Sequence, residues 1–216
     1  VSGGNGTSSM SYRGTITNVN AALNGIVYRG DPDYHGSDTI TLTTNDNGNT
    51  GSGGARADTD HLTMTVNAVN DPPVNTVPPA FSVDEDVAKA GLVFSVADVD
   101  AGSSNTIRFS LSASHGTLTL AGTSGLSLVS GGNGTHGMCY QGTLASINAA
   151  LSNVTYIGDT DYHGPDTVTF TSNDGGNSGM GGALTDTDQV IVAVDPADDP
   201  LTLVGSNSTV TFVENG

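Results

Sequence analysis

The sequence predicts an all-β protein: antiparallel Greek-key β-sandwiches repeated in tandem. Three observations carry that expectation. Apolar residues alternate with polar ones in short runs, the pattern of half-buried strands. Gly (30 residues), Ser, Thr, Asn and Asp separate those runs and supply turns rather than helix interiors. Apolar residues make up only 35% of the chain and Trp is absent, which suits the thin core between two stacked sheets.

The tandem character is visible as a repeat. Val1-Ser2-Gly3-Gly4-Asn5-Gly6-Thr7 returns as Val129-Ser130-Gly131-Gly132-Asn133-Gly134-Thr135. Asn20-Ala21-Ala22-Leu23 returns as Asn148-Ala149-Ala150-Leu151, and Asp33-Tyr34-His35-Gly36 as Asp161-Tyr162-His163-Gly164. The offset is 129 − 1 = 128 residues, gapless up to Pro72 and Pro200, with about 40 of the 72 aligned positions identical. Asn67-Ala68-Val69-Asn70-Asp71-Pro72-Pro73 reads as a stiff linker, because two prolines remove backbone donors and fix φ. A second linker follows at Asp195-Pro196-Ala197-Asp198-Asp199-Pro200. One whole unit is therefore expected over 71–198. Residues 1–70 read as the later part of a preceding unit, and 199–216 as the first strand of a following one. Val1-Ser2-Gly3-Gly4 does not read as a signal peptide, so the chain is expected to be a piece of a longer one.

Within the whole unit the strands can be placed in order. The first, strand A, covers 81–86. B covers 92–96, with Leu92, Phe94 and Val96 on one face, and C covers 107–111. Three shorter strands follow at 117–120, 126–129 and 138–142. Residues 146–151 read as one helical turn with Ser146 as N-cap. E covers 154–157, F 167–172 and G 189–194, which together describe an immunoglobulin-like sandwich.

Charge narrows function. A net charge of −17 repels phosphate, which excludes nucleic acid and anionic membrane surfaces as partners. The acid is 20 Asp against 2 Glu; Asp is short, suits turns, and is a usual loop ligand for Ca²⁺. Cys139 stands alone, so no intrachain disulfide forms, and no stretch is long and apolar enough to span a bilayer as a helix.

Consecutive antiparallel strands alternate in direction, which sorts the acids to two poles. Asp98 and Asp100, after B, belong at the pole facing the first linker, where Asp31, Asp33, Asn70 and Asp71 are expected to converge with them. Asp159 and Asp161, after E, belong at the other pole with Asp198, Asp199 and Glu85. The two Glu, Glu85 and Glu214, each end a first strand, and a Glu can chelate Ca²⁺ with both oxygens. Other constellations carry less. Arg29-Gly30-Asp31 has Ile157-Gly158-Asp159 as its counterpart, so only the Gly-Asp recurs. His35 and His163 recur in turns without a second His or a Cys beside them. No nucleophile–base set recurs in both units, so no enzyme is expected. A glycan-binding sandwich, with loop 175–186 as its contact, is the alternative; low aromatic content (5%) counts against it.

The Asn-Asp-Pro linker, the Asp84-Glu85-Asp86 strand, the Asp98-Val99-Asp100-Ala101-Gly102 loop, the Gly116-Thr117-Leu118 hairpin and the Tyr162-His163-Gly164-Pro165-Asp166-Thr167 turn resemble the bacterial cadherin-like tandem repeats of large secreted adhesins. The resemblance implies Ca²⁺ between domains. Its ligands would be a first-strand Glu (Glu85), the loop after E (Asp159, Asp161), the linker (Asp198, Asp199), and the Asp-x-Asp after B (Asp98, Asp100). It also implies an extracellular, cell-surface module that projects an adhesive tip, with neighbouring repeats as partners. The second linker departs from the first in carrying Asp198 where the first has Asn70. Finally, residues 1–70 lack strands A, B and C, which leaves Ile40, Leu42, Leu62 and Met64 without an opposing sheet. A homo-oligomer formed by strand addition is expected, with the strand at 209–213 as the donor and a trimmed 71–198 monomeric.

Overall fold

A computed structural model describes residues 5–49, 51–176 and 178–199. The strand expected at 209–213 and Glu214 lie outside these residues. The chain divides into two compact units, Val1–Ala68 and Val69–Gly216.

The first unit holds a helix, α1 (Ile16–Leu23), and a hairpin of β1 (Gly36–Asn45) and β2 (Ala57–Val66). The Thr15 hydroxyl caps α1 by accepting from the Asn18 N–H, one of the orphan donors of the first turn. The hairpin is antiparallel and in register from Gly36 opposite Val66 to Asn45 opposite Ala57. Asp46 closes its far end, one carboxylate oxygen accepting from the backbone N–H of Gly48 and Arg56.

The second unit is an all-β sandwich. Its elements are β3 (Val74–Thr76), β4 (Phe81–Asp84), β5 (Lys89–Leu92), β6 (Ser95–Ala97), β7 (Thr106–Ala113), β8 (Gly116–Thr119), β9 (Leu126–Gly131), β10 (Gly137–Thr143), α2 (Leu144–Leu151), β11 (Val154–Gly158), β12 (Gly164–Asn173) and β13 (Thr185–Asp195). Six strands form one sheet in the order β4-β13-β12-β7-β10-β9, with β4 parallel to β13 and the rest antiparallel. A three-stranded sheet, β5-β11-β8, and a pair, β3-β6, complete the strands. Alternation along the strands turns Ile107, Phe109, Leu111, Val168, Phe170, Val190 and Val192 inward, against Phe94, Leu118, Tyr156 and the α2 residues Ile147 and Leu151. Phe94 and Phe170 meet edge to face at 5.6 Å, a geometry that aromatic quadrupoles favour.

Several expectations need correction. Strand B is two strands in different sheets, β5 and β6, with Phe94 between them; Gly91, at φ +83°, lies inside β5, where its register against β11 shifts. Leu92, Phe94 and Val96 are nonetheless all buried. The helical turn is a two-turn helix that starts earlier, and its cap is Thr143, which accepts from the Ser146 N–H. Ser146 has the right chemistry for a cap, but Leu144 is already helical. A strand that the sequence reading does not include, β3, follows directly after Pro73 and pairs with β6. Pro165 lies inside β12 without breaking the sheet, because β7 pairs with β12 only from Val168 onward.

One buried polar cluster ties the layers together. Asp166, 2% exposed, accepts from the backbone N–H of Ser114, His115 and Thr167 through Oδ1 and from the Tyr156 hydroxyl through Oδ2. It thereby joins the turn between β7 and β8 to β11 and β12. Burial first, and then the bond to Asp166, push the Tyr156 phenol well above its ordinary range. No helix among the described residues is long and apolar enough to cross a membrane.

Candidate functional site

In the second unit the acidic residues gather near the two ends of β13. Near its start, Asp186 accepts from the Asn75 N–H; at its end, the Asp195 carbonyl accepts from the Glu85 N–H.

The group near the start is built on the first linker. Asn70 is buried, its N–H donating to the Met180 carbonyl and its Nδ2 to Gly182 O and Asp174 Oδ2. Both amide hydrogens are thus committed, which leaves Oδ1 as the acceptor of this side chain. Asp174 is itself buried and holds its loop, accepting from the Gly176 and Leu184 N–H groups. Asp100 Oδ2 accepts from the Asp71 N–H at 2.6 Å, so the linker and the loop after β6 touch directly. Asp98 Oδ1 accepts from the N–H groups of Asp100 and Ala101. Asp98 Oδ2 is buried with no hydrogen-bond donor. A buried carboxylate oxygen without a partner is costly unless a cation satisfies it.

At the other end, one carboxylate oxygen from each of Asp86, Asp161 and Asp199 lies within 4.8 Å of the other two. Asp86 and Asp161 both take left-handed backbone conformations, φ +60° and +58°, which Asp tolerates better than most residues. Beside them Glu85 is buried, its Oε1 accepting from the Ala197 N–H at 2.7 Å and its Oε2 lying 3.7 Å from His163 Nδ1. Local burial, and then the charges of Asp161, Asp86, Glu85 and Asp198, hold the Asp199 carboxyl above its ordinary range.

The donors suit a hard cation. Ca²⁺–oxygen distances of about 2.3–2.6 Å put ligands on opposite sides of one ion about 5 Å apart. Three carboxylate oxygens within 4.8 Å of one another fit around such an ion.

The structure thus groups Asn70, Asp71, Asp98 and Asp100, and separately places Glu85, Asp161, Asp198 and Asp199 at the far end of β13. Asp159 is drawn elsewhere: its carboxylate meets His136 Nε2 at 2.7 Å. Asp31 and Asp33 belong to the first unit, exposed in the turn before β1, with Asp33 at φ +59° like its counterpart Asp161. Two acids were missed by sequence reasoning. Asp86 was placed inside strand A, whereas β4 ends at Asp84 and the turn swings Asp86 toward Asp161. Asp174 is not singled out by the sequence reading; the signal is its recurrence, since Asp46 holds the same turn in the first unit.

Comparison with known proteins changes the family reading. The family model that matches is the Protein GAMETE EXPRESSED 2 domain, over residues 97–180. That family is eukaryotic, and the resemblance to bacterial cadherin-like adhesin repeats is thereby overturned. The physical reason is that the motifs behind that resemblance are short turn and hairpin sequences. Any sandwich with Gly-, Asp- and Pro-built turns selects them, whatever its lineage. Among solved structures, a cohesin module from a family 33 glycoside hydrolase of Clostridium perfringens aligns with a TM-score of 0.38 at 9% identity, covering 58% of this chain and 98% of that one. No curated protein matches.

Proposed function

We propose that the chain is a calcium-stiffened structural module of a tandem extracellular series, one that spaces an adhesive segment away from a cell surface. The observation that carries this reading is the convergence of Asp86, Asp161 and Asp199 within 4.8 Å beside the buried Glu85. These acids come from three separate places in the sequence and meet where the second linker leaves β13. Like charges so arranged repel, and a divalent cation would cancel that repulsion while tying the linker to the sandwich. Asp86, Asp161 and Asp199 would supply oxygens there, with Glu85 and Asp198 contributing charge. At the other end the unpartnered Asp98 Oδ2, together with Asp100 and the Asn70 Oδ1, would hold a second ion. The cation's contribution is electrostatic and mechanical; no reaction is involved.

Calorimetric titration of the full chain with Ca²⁺, paired with melting in EDTA and in excess Ca²⁺, tests this. A ligand that binds only the folded state adds about 2.7 kcal/mol at a hundredfold excess over Kd. D161N combined with D199N should remove one binding step, and D98N the other. Absence of binding heat, with the same melting temperature in EDTA and in Ca²⁺, would overturn the reading.

A further inference from the structure

The two units carry the same local structure at the 128-residue offset. Thr15 and Thr143 cap equivalent helices, and Tyr28 donates to Asp38 as Tyr156 donates to Asp166. Thr43 meets Thr59 at 3.0 Å, as Thr171 meets Thr187 at 2.9 Å. The β1–β2 register reproduces that of β12–β13 pair for pair. What differs is cover. Leu62 is 62% exposed where Val190 is 2%, Tyr12 is 50% exposed where Tyr140 is 6%, and Tyr28 is 37% exposed where Tyr156 is fully buried. Met10, Ile26 and Leu42 follow the same rule against Met138, Val154 and Phe170.

In the second unit the cover is identifiable. It includes Phe94, Phe109, Leu111 and Leu118, all within 71–128. The same segment satisfies both edges of the hairpin: β7 pairs with β12 from Val168 to Asn173, and β4 runs beside β13 from Val192 to Asp195. In the first unit, among the described residues, the sheet has two strands, so the corresponding edges of β1 and β2 carry no neighbour.

We infer that the apolar face and both strand edges of the first unit take a polypeptide segment with the strand pattern of residues 71–128. A second copy apposing its own first unit would cover the apolar face but supply no strand for both edges. A 71–128-type segment does both at once, because that is what it does in the second unit. This does not rest on the cation reading.

The test restores the segment. A copy of residues 71–128 is placed ahead of Val1, so that it precedes Val1 as residue 128 precedes Val129. Hydrogen exchange across residues 36–66 is followed by mass spectrometry. In the 216-residue chain these amides should exchange fast; in the extended chain they should slow about a hundredfold, toward the rates of 164–195. Replacing Phe109 by Asp in the added copy alone should abolish the gain. As a second arm, the segment is added in trans to the 216-residue chain, with protection of 36–66 expected to saturate at one segment per chain. Unchanged exchange in both arms would overturn the proposal. So would strong protection in the 216-residue chain alone that grows with concentration alongside a doubled molar mass, which would make a second copy the occupant.

Discussion

Asp166 and Asp38 occupy equivalent positions in the two units, and replacing each by Ala should give opposite results. Asp166 is 2% exposed and receives four donors: three backbone N–H groups and the Tyr156 hydroxyl. Removing the carboxylate strands all four where water enters poorly. At the low end of the cost of a buried unmet donor, about 1 kcal/mol each, the sum is about 4 kcal/mol. That is a large share of the 5–15 kcal/mol typical of a domain. At about 3–5 °C per kcal/mol for a unit of this size, melting of the second unit should fall by about 12–20 °C. Asp166→Asn keeps an acceptor for the N–H groups and should cost much less. Asp38 receives only the Tyr28 hydroxyl and the Thr39 N–H, at a place that water reaches, so Asp38→Ala should leave the first unit's stability nearly unchanged. Urea unfolding followed by circular dichroism, with hydrogen exchange to resolve the units, measures both. Equal losses for the two substitutions, or a loss below about 1 kcal/mol for Asp166→Ala, would refute the argument that context sets the strength of this cluster.

Two further outcomes follow. Gly116→Ala should destabilise the second unit by about 1–3 kcal/mol through overpacking, because a Cβ there would lie 2.5 Å from Tyr156 Cε2 and 2.7 Å from the Ile157 carbonyl. Gly102→Ala, with open space around it, is the control and should be near neutral in the same melt. Tyr28 should titrate late: its hydroxyl bond to Asp38, chiefly, pushes the phenol from 10.0 up to about 12. The folded unit thus holds that proton more tightly than the unfolded chain. The contribution, kept small by water at this exposed pair, is present in full below pH 10 and is lost as pH rises through about 12. Alkaline difference absorbance should show one of the six tyrosines moving back toward 10 in Asp38→Asn.

What the sequence by itself determined about this protein is local or periodic. Strand alternation in 107–111, 167–172 and 189–194 is a two-residue pattern, and β7, β12 and β13 form there. The repeat at offset 128 is a matter of identity and carries its caps and turns with it. The bias toward Asp marked the loops where acids gather. The tertiary structure alone decided which acids meet. Asp86 joins Asp161 and Asp199 because β4 stops short and its turn swings round, whereas Asp159 goes to His136, a residue far from it in sequence. It also decided what is core. Tyr28 and Tyr156 lie in matching sequence and make the same hydrogen bond, yet one is partly exposed and the other buried. Burial belongs to whatever packs from elsewhere in the chain, and no short-range pattern carries that information.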